Sequence, residues 1–273
     1  QVVAAEIEEV CISTNTLSFE DYVRCRIMHL LIHIFHNDGL FDSALKFIKF
    51  LKLSPYKWLE LLFQENMTGG VKELFEKYEE DTRQELWLNR DELLHNTQNP
   101  GVIDSYISGE IGYNLLFLHK AIAISKFVPE LKKFAKLTLE KLLIENKKDT
   151  KENLDFLNDA LNYDACCITN LFANAEKIPT INLKYDIGKF VSEKNTIIEK
   201  LLFPKPVTFS FILDDYQKDI IKRSLELYGN TDLGISRTIT KVFVKKILRN
   251  GLDMSEKQKS VKIIENSADW PYC

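Results

Sequence analysis

The chain has 273 residues, of which 45% are hydrophobic and 28% are charged, and its formal net charge is −4. This composition supplies a sizeable core for one large domain or two small ones. It excludes a strong overall field that would draw the chain to nucleic acid or to an anionic membrane. No apolar run reaches the roughly 20 residues that span a bilayer. The odd number of irregularly spaced cysteines favours reduced thiols and a cytoplasmic location.

The first residues indicate a strand. The stretch "VVAAEIEEVCIS" contains alternating β-type residues, and the chain begins with glutamine rather than methionine. We therefore expect residues 1–17 to be a strand and a linker cut from a longer protein.

Residues 18–150 are predicted to form a helical bundle. Ser18 is a candidate N-cap with Asp21 in the capping-box position, so a helix is expected over residues 19–36 and ends at "NDG". Further helical periods follow, the most apolar one within residues 109–127. The polar stretch "NKKDTKENL" marks the predicted boundary at about residue 150.

Residues 151–273 are predicted to form a small α+β subdomain. Alternating residues at 178–191 and 206–213 predict two strands, with a short helical piece between them. A helix capped by Asp214 or Asp215 and closed by Gly229 follows, and then a long basic amphipathic helix over residues 232–251. The predicted fold class is mainly α with a small β element (α+β), a helical bundle followed by a small strand-containing subdomain.

One helix carries several metal-ligating side chains. Helical spacing puts Cys25, His29, His33 and His36 on one side of the helix, and His29 and His33 have the separation of two zinc ligands. No HExxH motif is present, however, and apolar residues fill the opposite side. We expect a polar helix face that binds no structural metal, with a weak adventitious site at His29 and His33 as the alternative.

Acidic residues give two further candidates. The "YEED" and "LDD" stretches could supply paired carboxylates for acid–base chemistry, but on such charged helices a solvated surface is favoured. Asp186, within the first predicted strand segment, is expected to end the strand itself, and a turn cap is favoured there over catalysis.

The most distinctive stretch is "LYGNTDLGISRTITKVFVKKILR", residues 227–249. Its basic residues recur every four positions and would form a row on a helix: Arg237, Lys241, Lys245 and Arg249. Such a row can hold phosphates or an acidic partner surface, whereas a solvated helix face is the alternative.

Two stretches resemble the cobalamin-binding radical SAM family. The first reads Ser13-Thr14-Asn15-Thr16, then "SFEDY", then His36-Asn37-Asp38-Gly39, and is similar to the segment just after the barrel of those proteins. The resemblance implies that residues 1–17 are the end of a missing upstream barrel. The second, near the C-terminus, matches a "YG" turn followed by Gly, Arg and a last Arg; its residues are Tyr228, Gly229, Gly234, Arg237 and Arg249. Aromatic residues often stand where His36 stands, which argues against a metal site common to the family.

The resemblance implies that this chain is the C-terminal accessory region of a radical SAM enzyme. The parent would cleave S-adenosylmethionine with an iron–sulfur cluster and would bind cobalamin, and both modules would lie upstream of Gln1, since no CxxxCxxC loop is present. The chain alone would hold no cofactor and no catalytic residue. Its five matched residues, from Tyr228 to Arg249, would bind substrate or dock on the upstream barrel. The alternative is a free-standing helical protein-interaction module without catalysis.

Overall fold

The computed structural model describes residues 9–87, 89–173, 177–193 and 197–254. These residues form twelve α-helices and a three-stranded antiparallel sheet, which confirms the predicted fold class. The α-helices are α1 Phe19–Ile32, α2 Asp42–Phe50, α3 Pro55–Gln64, α4 Gly69–Gln84, α5 Arg90–Thr97, α6 Val102–Ser108, α7 Leu115–Lys126, α8 Val128–Glu145, α9 Lys151–Ile168, α10 Ile187–Ser192, α11 Asp215–Tyr228 and α12 Asp232–Lys241. The strands are β1 Thr180–Tyr185, β2 Leu202–Ile212 and β3 Asn250–Asp253.

The start of α1 follows the predicted capping chemistry. The Ser18 hydroxyl accepts a hydrogen bond from the Asp21 amide, and the Asp21 carboxylate accepts one from the Ser18 amide. The α-helix ends at Ile32 and continues as a π-helical turn, His33–Asn37. Gly39, with φ of +74°, then reverses the chain in a conformation that favours glycine. The predicted strand at residues 1–17 lies partly outside the described residues, and residues 9–17 form no helix or strand.

Helix α9 connects the helices to the sheet. Its buried Asp164 carboxylate accepts hydrogen bonds from the amides of Ser43 and Ala44 (3.0 and 3.1 Å) and so caps the start of α2. Its Asp159 carboxylate accepts bonds from the amides of Lys184 and Tyr185 in β1 (2.5 and 3.1 Å). Helix α9 also packs on α8. Apolar residues from both sides of residue 150 therefore join one core cluster, while the assignment of separate regions 18–150 and 151–273 stays a prediction.

The sheet has the order β1-β2-β3, with both pairs antiparallel. Phe209 and Phe211 of β2 are buried, and the Tyr163 ring on α9 meets the Phe211 ring edge-on at 5.0 Å between centroids. The predicted strand over residues 178–191 ends early, because Asp186 caps α10 by accepting a hydrogen bond from the Lys189 amide (2.8 Å). Asp186 is thus the turn cap that the sequence favoured.

The prediction of one long helix over residues 232–251 is wrong. Helix α12 ends at Lys241, and a short 3₁₀ turn, Val244–Ile247, leads into β3. Val242 is extended (φ −119°, ψ 122°), as its β-branched side chain favours. The Gln217 amide of α11 donates to the carbonyl of Leu248 (2.7 Å), so that carbonyl is satisfied outside a helix. Across the described residues, every helix is too short or too polar to span a bilayer.

Candidate functional site

Three of the predicted site residues, Tyr228, Gly229 and Gly234, lie in or beside the turn between α11 and α12. Helix α11 ends at Gly229, as predicted, with φ of +78°. Gly234 lies in the first turn of α12, where a Cβ would collide with the carbonyl oxygens of Tyr228 and Gly229. Only glycine lets the two helices approach this closely. The helix end at Gly229 and the close approach at Gly234 explain the two glycines of the "YG…G" pattern. The part of this pattern in docking or substrate binding stays a prediction.

Arg237 lies on α12 and binds the end of α6. Its Nη2 donates to the carbonyl oxygens of Ser108 (2.8 Å) and Gly109 (3.0 Å). Gly109 has φ of +73° and ends α6, whose last carbonyls lack partners within the helix. Arg237 therefore ties this short helix to the body of the molecule.

Arg249 has a different environment from Arg237. Only 2% of its surface is exposed, and its guanidinium donates to the carbonyl oxygens of Thr169 (2.5 Å) and Asn170 (3.4 Å) just after α9. Burial lowers the pKa of this guanidinium. The predicted basic row is therefore wrong, because the helix that would align it ends at Lys241. Lys245 instead pairs with Asp42 at the start of α2.

The candidate metal ligands on α1 and on the π-helical turn after it differ in exposure. His29 is exposed and His33 is half-buried, and their rings meet edge-on at 4.8 Å between centroids. Burial lowers the pKa of both imidazoles, and the charge of Lys120 adds to the effect at His33. Among the described residues, no group of three or more His, Cys, Asp or Glu side chains is placed to hold a metal ion. The absence of a structural metal stays a prediction.

A buried ion pair beside His33 was not predicted from the sequence. Asp38 follows the π-helical turn and is 3% exposed, and its Oδ2 lies 2.8 Å from Nζ of Lys120 on α7, which is 2% exposed. Burying two charges is costly unless they neutralise each other. The Lys120 ammonium also lies 4.4 Å from the centroid of the Phe117 ring, a cation–π geometry. One sequence signal pointed to this pair, namely a lysine in the middle of the most apolar helix.

A second buried polar group lies next to it along α7. His119 is 1% exposed, and its Nε2 is 2.8 Å from Oδ2 of Asp81 on α4. Its ring meets the buried Tyr78 ring at 5.0 Å between centroids. Burial lowers the pKa of His119, although Asp81 opposes the shift. Asp81 of the "YEED" stretch, for which a solvated surface was expected, therefore pairs with a buried histidine, and its Oδ1 pairs with Lys77 (3.0 Å).

Residues 89–113, which we call the arm, differ from the rest of the bundle. Neither α5 nor α6 contains a buried residue. Large apolar side chains of the arm are more than a third exposed, namely Leu94, Tyr106, Ile107, Ile111 and Tyr113. The helices pack mainly on each other, and the Arg237 bonds fasten the end of α6.

An open groove of about 450 Å³ lies along α5 at the base of the arm. Trp87, which is 44% exposed, forms one part of the groove. The remaining lining residues are polar or acidic: Asp91, Glu92, His95, Asn96 and Asn99.

Comparison of the chain with protein-family models, with curated proteins and with solved structures finds no significant match. The geometry described above therefore carries the functional argument.

Proposed function

We propose that this chain is the C-terminal accessory region of a radical SAM enzyme of the cobalamin-binding family. In this proposal it covers the upstream barrel of the same polypeptide and helps to position substrate. The observation that carries the proposal is the arm, whose apolar side chains are exposed and fastened to the body by Arg237. We take these side chains, which lie within one segment of the chain, as the surface that would contact the barrel.

The residues that carry the family resemblance support a structural role for the matched segments. His36-Asn37-Asp38-Gly39 brings Asp38 to Lys120 in the core, and Gly234 and Arg237 join α12 to α11 and α6. They build the framework that holds the arm in place. A role of Arg237 in contact with the barrel or the substrate would be exerted through the arm.

Two of the described cysteines are poorly suited to ligate an iron–sulfur cluster. Burial raises the pKa of the thiols of Cys166 and Cys167, which disfavours the thiolate form that ligates metals. The described residues also gather no metal-ligand group. As the resemblance implies, we place the iron–sulfur cluster, S-adenosylmethionine and cobalamin in the upstream modules, and we derive no catalytic step within this chain.

The first test is the reading frame upstream of Gln1. A long frame that encodes a CxxxCxxC loop would support the proposal, whereas a start codon close to Gln1 would support a free-standing protein-interaction module. The exposed arm suits that second function as well, because a partner protein would contact the same surface.

A functional test uses Arg237→Lys in the full-length parent. Lysine keeps the charge but lacks the planar guanidinium whose Nη2 donates to both carbonyls, so this contact should weaken. Substrate turnover should fall, while cluster content and unproductive cleavage of S-adenosylmethionine stay near wild type. Equal loss of all three would indicate misfolding and would remove the support for a positioning role.

A further inference from the structure

The polar contacts between the arm and the rest of the molecule converge on one side chain. We propose that the arm is a hinged strap with two positions, and that Arg237 holds it in the closed position that the structure shows. This inference goes beyond the proposed function, because it concerns the movement of the arm and applies to any partner that the arm contacts.

The first argument is how the arm is attached. Among the described residues, the hydrogen bonds that join the arm to the rest of the chain are the two that Arg237 donates to the carbonyl oxygens of Ser108 (2.8 Å) and Gly109 (3.0 Å). Neither α5 nor α6 buries a residue, so apolar packing on the body adds little to this attachment. One guanidinium therefore supplies the specific contact that keeps the arm in place.

The second argument is the chain on either side of the two arm helices. Residues 85–87 and 109–114, which lead from α4 to α5 and from α6 to α7, form neither helix nor strand. Gly109 and Gly112 have φ of +73° and +72°, so the second connection contains two residues of high conformational freedom. A few such residues can absorb the backbone rotation of a hinge. Because α5 and α6 pack on each other across the turn at Gly101, we expect them to move together.

The third argument is the fit of the guanidinium against Gly109. A Cβ at this position would collide with Nη2 of Arg237, which is the far end of a flexible side chain and would have to move away. Gly101 also has a positive φ (+83°), but a Cβ there would meet nothing within 4 Å. Alanine is strained by the backbone at both positions, yet it displaces the guanidinium only at position 109. The two glycines therefore provide a matched pair of variants that separates backbone strain from the Arg237 contact.

The experiment measures the distance between the arm and the body in the 273-residue chain. Nitroxide labels are attached to p-acetylphenylalanine in place of the exposed Gln98 of the arm and Lys133 of α8, so the free cysteines stay unlabelled. Double electron–electron resonance should show one main distance in the wild type. Gly109→Ala should add a second distance and raise the ratio of open to closed chains about tenfold, the size of one hydrogen bond from a charged donor. Arg237→Lys should raise this ratio less, because an ammonium can still donate to one carbonyl.

Gly101→Ala is the control and should keep the wild-type distance. Open populations of equal size in Gly101→Ala and Gly109→Ala would overturn the inference, because backbone strain rather than the guanidinium would then release the arm. A single unchanged distance in Gly109→Ala would overturn it as well. So would a loss of helical circular dichroism together with the second distance, since the arm would then unfold instead of moving as a unit. None of these results depends on the upstream reading frame, so this inference and the proposed function can fail independently.

Discussion

Helix α7 and the arm lie next to each other in the chain, and both are helical with many apolar residues, yet they have opposite environments. Helix α7 is covered by α4, α12 and the π-helical turn, and even its His119 and Lys120 are buried with partners. The arm has no buried residue in either helix. Apolar content therefore does not decide burial; the number of neighbouring elements does. The difference separates a part of the molecule that maintains the fold from a part that is available for contact.

The largest effect should come from the buried charge on α7. Lys120→Met leaves the Asp38 carboxylate buried without its counter-ion, which costs about 3–5 kcal/mol of unfolding free energy. Urea denaturation measures the change. The double variant with Asp38→Asn should recover part of the loss, because no uncompensated charge remains.

The same helix provides a matched control for this prediction. Lys126 pairs with Asp232 at 2.5 Å, but its side chain is 54% exposed. Lys126→Met should cost no more than about 1 kcal/mol. If Lys120→Met lowered the unfolding free energy equally little, the buried pair on α7 would contribute no more to stability than an exposed pair.

A smaller effect is expected at Arg249. Arg249→Lys removes donors to the carbonyls after α9, and lysine cannot span them with one ammonium, so unfolding free energy should fall by about 2 kcal/mol. Arg223→Lys is the control, because that side chain pairs with Asp219 on the surface and should be nearly neutral. Urea denaturation of both variants at equal pH compares them. Equal stability of the two would show that the buried carbonyl contacts contribute little.

The fold class and several caps were predictable because they depend on local chemistry. The capping box at Ser18, the Gly229 end of α11 and two strands of the sheet follow from neighbouring residues, whereas β3 begins within the segment predicted as a helix. The end of α12 was not predictable, because the Gln217 side chain that satisfies the Leu248 carbonyl lies 31 residues away.

The candidate site was less predictable for the same reason. Asp38 and Lys120 are 82 residues apart, and Arg237 and Ser108 are 129 residues apart. In the sequence, only the isolated charge of Lys120 within an apolar helix indicated the contact with Asp38. The four-residue spacing of basic residues predicted a row on one long helix. That helix ends at Lys241, so the row does not form.

The pH dependence of stability tests the polar interior of α7. Burial lowers the pKa of His119 below its ordinary value of 6.5, so the unfolded chain binds this proton more tightly than the folded chain. The contribution of His119 is therefore complete above pH 6.5 and is lost as the pH falls below it. His119→Gln should make unfolding free energy less sensitive to acid between about pH 7.5 and pH 5. Urea denaturation across this range measures the slope.

Asp164 gives the opposite slope within the same protein. Burial raises its pKa to about 7, so the folded chain holds this proton more tightly than the unfolded chain. Its contribution is present at low pH and is lost as the pH rises from the ordinary 3.8 towards about 7. Asp164→Asn should remove this decrease in unfolding free energy with rising pH. Slopes that change in the same direction in both variants would contradict the assignment of these two groups.

The smallest effect on global stability, and the sharpest test of the arm, comes from Arg237→Lys in the isolated chain. The two hydrogen bonds to Ser108 and Gly109 join the arm to α12, but the arm contributes no buried residue from α5 or α6, so unfolding free energy should change by less than about 1 kcal/mol. Limited chymotrypsin digestion should nevertheless cleave after Tyr106 several times faster, because local opening of the arm becomes easier. Lys241→Gln, at the exposed end of the same helix, is the control and should leave the cleavage rate unchanged. Unchanged cleavage in Arg237→Lys would show that contacts other than this guanidinium hold the arm, and a parallel loss of global stability would place the arm within the cooperative core.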